Sequence, residues 1–221
     1  SLMFSELEIA RTYNNMDIDE ITAKLNLFEQ RTAEENVPAI NERRNTPGEY
    51  CSLYRERFLP QEVKSKALGS KVTWILPPHS RYKGIGETAL TDGLYGGSTY
   101  VESWVGWEGE NASFVLDMGE EKEFTKIESD FLHQLGAWVL LPKGGNYSIS
   151  SDGEAYEEFG AFTIPEDRDV RVKFTKGTVE KPAPVKARYI KVEIEGTIEC
   201  PYWHYGIGFP SWFFIDEVSV Y

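Results

Sequence analysis

The chain has 221 residues, 41% of them hydrophobic, enough to fill the core of one large domain or of one domain with an appendage. Its formal net charge of −13 sets it against nucleic acid and against anionic membrane surfaces, whose phosphates would repel it. No apolar run approaches the ~20 residues of a membrane helix, so no membrane insertion is expected.

Residues 1–58 read as helical. Leu7, Ala10 and Tyr13 stand at helical spacing until Asn14-Asn15 interrupts them. Asp17 is placed to cap a second helix, with Glu20 completing a capping box three residues on. Ile18, Ile21, Leu25, Phe28 and Thr32 form its apolar stripe, and Asn36 and Pro38 end it. Thr46-Pro47 opens a third helix with proline at its first position; Tyr50, Leu53, Tyr54 and Phe58 make its inner face. Arg43 and Arg44 read as solvated surface charges. This segment carries no catalytic pattern. It reads as the tail of an upstream domain or as a helical rest for the rest of the chain. Because the chain opens within a helical pattern, an upstream continuation bearing any export signal is expected. Pro60, the lysines after it and Gly69-Ser70 mark a connector, and we place the boundary so that residues 1–66 are the helical segment and 67–221 a β-domain.

From Lys71 the period changes to two. Lys71 to Leu76 reads as a strand stopped by Pro77-Pro78. Inward sets come next at Phe114, Leu116 and Met118; at Ile127, Ser129 and Phe131; at Tyr147 and Ile149; at Val170, Val172 and Phe174; and at Ile190, Val192 and Ile194. Last comes Phe214, Asp216, Val218 and Val220, alternating with Ile215, Glu217 and Ser219. Many short alternating strands separated by turn signals predict a mainly β fold, an antiparallel β-sandwich.

The chain shows no nucleophile elbow, phosphate loop or zinc-protease motif, so catalysis is not expected within it. Cys51 and Cys200 lack zinc spacing and stand either as one long-range disulfide or as two buried thiols. The stretch Thr88 to Trp107 holds Asp92, several hydroxyls and Gly93, Gly96 and Gly97. Such a loop can fold its carbonyls around a hard cation, with Asp92 supplying charge, or it can be an ordinary turn. Three further loops are candidates for ligand contact, because strands are committed to packing. They are Ser80 to Gly86 with Arg81, His133 to Trp138 with His133 and Gln134, and Glu199 to Trp212 with Trp203, His204 and Tyr205. The last is the richest aromatic segment in the chain. Trp203 offers a stacking face, while His204 and Gln134 each offer a donor and an acceptor to hydroxyls.

Five motifs in order carry a family resemblance: Ala89-Leu90-Thr91-Asp92-Gly93, Phe114 to Gly119, Ser150 to Tyr156, Ala187 to Val192, and Phe214 to Tyr221. Together they resemble the discoidin domain (coagulation factor five/eight type C). They are similar above all to family-32 carbohydrate-binding modules appended to bacterial glycoside hydrolases. The resemblance covers roughly residues 70–221 and implies a galactose-binding-domain-like jelly roll. It implies a glycan as partner, an upstream catalytic domain in the same polypeptide, and an extracellular, periplasmic or cell-surface location. It places sugar contacts on the three candidate loops, although Gln134-Leu135-Gly136 stand where the family usually has Arg and Asn. It also implies a structural calcium ion held by Asp92, by Ser98 or Thr99, by loop carbonyls and by Glu217. Glu217 would then face the loop and Asp216 would face away. The alternative function is a module that braces the parent enzyme or holds a protein partner without touching sugar.

Overall fold

The computed structural model describes residues 17–40, 45–58, 64–101 and 103–221. They fall into two compact units that divide after residue 61. The helical pattern at Leu7 to Tyr13, together with Arg43 and Arg44, lies outside the described residues. Among the described residues no helix is long and apolar enough to cross a membrane.

The first unit contains helix α1, Ile18–Glu34, and helix α2, Pro47–Phe58. Both begin as the residue types dictate. Asp17 accepts the Glu20 amide at 3.0 Å, and Thr46 and Glu49 exchange reciprocal bonds at 2.9 and 3.2 Å, a capping box. Asn36 ends α1 in the left-handed region, at φ 53°. Ile21, Leu25, Cys51 and Tyr54 form the core between the helices, with Phe28 and Tyr50 packed on it. Ile18 is 43% exposed and does not join the stripe; as the first residue of α1 it precedes the turn that meets α2.

The second unit is an antiparallel β-sandwich. Its strands are β1 (Lys71–Leu76), β2 (Val105–Glu108), β3 (Ala112–His133), β4 (Gly144–Ser150), β5 (Glu157–Thr163), β6 (Lys173–Glu195) and β7 (Trp212–Val220). They pair in the order β2-β7-β3-β6-β4-β5, with β1 on the other side of β3. What the sequence pattern divides into separate strands is continuous here: β3 and β6 each pass from one layer to the other. The early part of β3 pairs with β1 and with the late part of β6; its later part pairs with β7 and the early part of β6. Register breaks at Asp117/Lys122 and Phe124/Lys126 mark the crossing. Pro182 and Pro184 sit at that break, where no ladder bond to β3 is lost. Val170, expected on a strand, is exposed in the loop before β6.

Between the layers lie the inward sets anticipated from alternation, among them Phe114, Leu116, Ile127, Phe131, Tyr147, Ile190 and Val192. Trp107 stacks on Phe213 at 5.3 Å. Gly106 of β2 is required by close approach, since a Cβ there would stand 2.4 Å from the Phe214 ring. The Tyr147 hydroxyl on β4 crosses the core to lie 2.8 Å from both Ser129 Oγ and the Gly177 carbonyl. Alternation fails on β7, where every residue from Phe213 to Val220 is buried. One face joins the sandwich core. On the other, Phe214 is covered by Trp104, Leu132, Tyr82 and Tyr100. Cys51 and Cys200 are both free, buried thiols. Burial pushes the Cys51 thiol up to about 11.

Candidate functional site

Two regions of the β-sandwich gather the candidate residues. The first is where the 92–99 loop meets β7. Ser129 pairs with Val218 and Phe131 with Ile215, so two steps along β3 oppose three along β7. The extra residue is a β-bulge at Asp216-Glu217. A regular strand would send these neighbours to opposite faces. The bulge turns both to the loop: Gly93 N donates to Glu217 Oε1 at 3.1 Å, and Gly96 N donates to Asp216 Oδ2. The expectation that Asp216 faces away is therefore corrected.

Asp92 is exposed and closes a local turn by accepting the Leu94 amide at 2.8 Å. Trp104 packs beneath the loop and donates from Nε1 to the Gly97 carbonyl at 2.9 Å. Burial first, then the charges of Asp216 and Asp92, hold the Glu217 carboxyl well above the usual carboxylate range. Thr99 Oγ1 is buried without a hydrogen bond among the described residues, and Ser98 beside it is half-buried. Among the described residues no three Asp, Glu, His or Cys side chains gather as a metal centre. A cation here would therefore draw on hydroxyls and backbone carbonyls as well as on Asp92 and Glu217.

The second region is the loop from Cys200 to Phe209. Its ends are tied by Cys200 N to the Phe209 carbonyl at 2.8 Å and Gly208 N to the Cys200 carbonyl at 3.0 Å. This makes it a compact Ω-type loop. His204 sits inside it: Nδ1 accepts the Gly206 amide at 3.0 Å and Nε2 lies 3.2 Å from the Leu135 carbonyl. Trp138, held at φ 63° after the 135–137 turn, supports it from below, with ring centroids 5.9 Å from Tyr205 and 5.7 Å from Phe209. Tyr205 stacks on His204 at 4.4 Å and donates to the Gly136 carbonyl at 3.1 Å. Tyr205 and Phe209 stay 69% and 61% exposed despite these contacts, and Tyr202, which meets Arg168, is 76% exposed.

Trp203 is half-buried at the foot of the same loop. Its Nε1 donates to Glu166 Oε2 at 2.7 Å, and the Arg168 guanidinium lies 5.0 Å above its ring. The Trp203 indole and Arg168 together hold the Glu166 carboxyl below its usual range. A cleft of about 500 Å³ opens beside Trp203, between Pro142, Pro165, Glu166 and Glu199. Sequence reasoning passes over Glu166 and Arg168. The signal for them is the charged run Glu166 to Arg171, set off by Pro165 between two strands.

The structure thus brings together Trp203, His204, Tyr205 and the 134–138 turn. His133 and Gln134 are fully buried. His133 Nε2 lies 2.7 Å from the Asp169 carbonyl, so its side chain steadies the 166–171 loop. Arg81 stands on a separate short turn, where its own amide caps onto His79 Nδ1 and Tyr82 packs on Trp212.

A two-layer sandwich whose seven strands pair antiparallel, carrying loop-borne polar and aromatic clusters, defines the class of the protein. The chain belongs to the F5/8 type C domain family, whose model matches residues 77–213. Three solved structures illustrate the likeness. The first carbohydrate-binding family-32 module from a family 31 glycoside hydrolase of Clostridium perfringens is 21% identical, with a TM-score of 0.44, covering 69% of this chain and 94% of that one. A fucolectin from striped bass, Morone saxatilis, is 19% identical, with a TM-score of 0.46, covering 72% and 49%. The SpGH29 structure is 19% identical, with a TM-score of 0.44, covering 79% of this chain, which spans only 30% of that one. No curated protein matches the chain.

Proposed function

We propose that the β-sandwich is a non-catalytic carbohydrate-binding module, working in an exported polypeptide beside a glycan-degrading catalytic domain. One observation carries the reading. Three aromatic side chains on one braced loop, Tyr202, Tyr205 and Phe209, are exposed, and Trp203 of the same loop lines a cleft. Flat rings in fixed positions suit the C–H faces of pyranoses, and Glu166, Arg168 and the tyrosine hydroxyls supply directed polar partners. Single-site affinity of this kind is weak, on the order of micromolar to millimolar, and tethering makes it useful. A calcium ion at Asp92, Ser98 or Thr99, and Glu217 would have a structural task, neutralising the carboxylates that meet there and pinning the loop to β7. The buried, unbonded Thr99 hydroxyl and the Glu217 carboxyl, held above its usual range, support that placement.

A glycan array probed with the chain in calcium, beside the Tyr202→Ala/Tyr205→Ala variant, tests the reading. Signal that falls in the variant supports it; signal equal in both moves the site elsewhere. A second reading, a protein-interaction module, is favoured by the inward commitment of His133 and His204 and by exposed Ile207 beside Phe209. An array silent for every glycan, with binding to the parent's catalytic domain, would establish it instead.

A further inference from the structure

The back layer of the sandwich has an outer face that the aromatic loop does not use. Across it Ser113, Glu193, Asn146 and Ala161 stand in one row, each the direct cross-strand partner of the next on β3, β6, β4 and β5. They alternate with the core residues Phe114, Val192, Tyr147 and Phe162, so the pleat points them outward. A groove of about 450 Å³ runs over this row. Its rim is Leu76 of β1. A register shift after Trp74 leaves Trp74 opposite Phe114 but sets Leu76 opposite Ser113.

Two polar atoms in the groove lack the partners that burial normally demands. Ser113 is 5% exposed, and its Oγ makes no hydrogen bond among the described residues. Asn146 Oδ1 is likewise buried and unbonded, while its Nδ2 reaches Ser148 Oγ only at 3.4 Å. Whichever way that amide is turned, one end of it is unsatisfied. A hydroxyl both donates and accepts, so a ligand rich in hydroxyls answers both groups.

The charges around the groove answer one another instead. Lys191 pairs with Glu193 at 2.8 Å and Lys143 with Glu195 at 2.9 Å, leaving nothing to select a charged ligand. As surface pairs they are weakly held and can swing aside. With strands about 4.8 Å apart, a groove across four of them is roughly 14 Å long, the shape of a chain and not of a single ring. Lys143 lines this groove and also the cleft beside Trp203, so the two adjoin.

We infer that the outer face of β3, β6, β4 and β5 is a second saccharide-binding surface, which takes an internal segment of a linear, neutral glycan chain on Ser113 and Asn146. It extends the proposed sugar reading from the aromatic loop to a length of glycan chain. It rests on that reading for the class of ligand alone.

The test is an amide-shift titration of the isotope-labelled full chain with cellohexaose, laminarihexaose and mannohexaose, each beside its monosaccharide. The expected result is a shift at Ser113, Asn146 and Glu193 with at least one hexasaccharide and with no monosaccharide. Ser113→Val/Asn146→Leu, and separately Ala161→Trp on its exposed site, should each weaken that binding about tenfold, the scale of a few lost polar contacts. Using both guards against a variant that merely misfolds. Tyr205→Ala should leave the groove shifts in place. The inference is overturned if no groove amide moves at about 10 mM of any hexasaccharide, enough to reveal even millimolar binding. It is equally overturned if the shifts survive both groove variants. Shifts in the groove with none at residues 202–209 would sink the aromatic-loop reading and leave this one standing.

Discussion

Asp216 and Glu217 are consecutive on β7 yet turn their carboxyls to the same loop, one to Gly96 and one to Gly93. That is unfavourable for two neighbouring acids unless a proton or a cation lies between them and Asp92. Burial, with the charges of Asp216 and Asp92, holds the Glu217 carboxyl in the folded chain well above its unfolded value of about 4.3. Without calcium, stability should therefore fall as pH rises from about 4.3 toward the raised folded value. Glu217→Gln should flatten that fall. Calcium should raise the melting temperature of the wild type at neutral pH, a chelator should reverse it, and neither should move the variant. Equal calcium shifts in both proteins would sink the proposed site.

Tyr205 and His204 touch face to face but answer to different tests. Tyr205 is largely exposed, so Tyr205→Ala should weaken glycan binding several-fold, in line with about 0.5–1.5 kcal/mol for an aromatic contact. Its melting temperature should fall less than that of His204→Ala, since Tyr205 gives up one hydrogen bond and partly exposed ring contacts, as scanning calorimetry would show.

His204→Ala removes a buried ring that bonds both Gly206 and the Leu135 carbonyl. It should cost about 1–3 kcal/mol in denaturant unfolding and open the 200–209 loop to proteolysis. Unchanged proteolysis would mean that the backbone ties at Cys200 and the packing on Trp138 hold the loop without the His204 bonds.

Tyr147 tests the join between the layers. Its single hydroxyl proton must go to the Gly177 carbonyl, which can only accept, so it receives the Ser129 hydroxyl in turn. Tyr147→Phe leaves two buried groups unpaired and should cost about 1–3 kcal/mol. A neutral result in urea unfolding would show that the core rearranges to pair Ser129 with Gly177 directly.

Much of this fold was legible because burial on one side imposes a period. The stripes at Phe114 to Met118 and Ile190 to Ile194, and the helix starts at Asp17 and at Thr46-Pro47, are local facts of the chain. What the period hides is whatever covers the second face. On β7 it could not show that aromatic side chains from the 82 and 100 loops bury Phe214, nor that a bulge turns Asp216 around. The continuity of β3 and β6 was likewise hidden, since a polar crossing such as Glu120 to Lys122 looks like a turn. The aromatic loop was visible by composition, but the division of labour within it was not. Whether His204 supports the loop or meets a ligand depends on the Leu135 carbonyl, 69 residues away in the chain.

β7 lies between β2 and β3, paired to both. During synthesis this means that the layer of β2, β7 and the later part of β3 cannot close until residues 212–220 have left the ribosome. Until then β2 and the later half of β3 wait with open edges, and open edges invite the wrong neighbour. Maturation of the domain should accordingly be a late, all-at-once event, set by the emergence of its final strand.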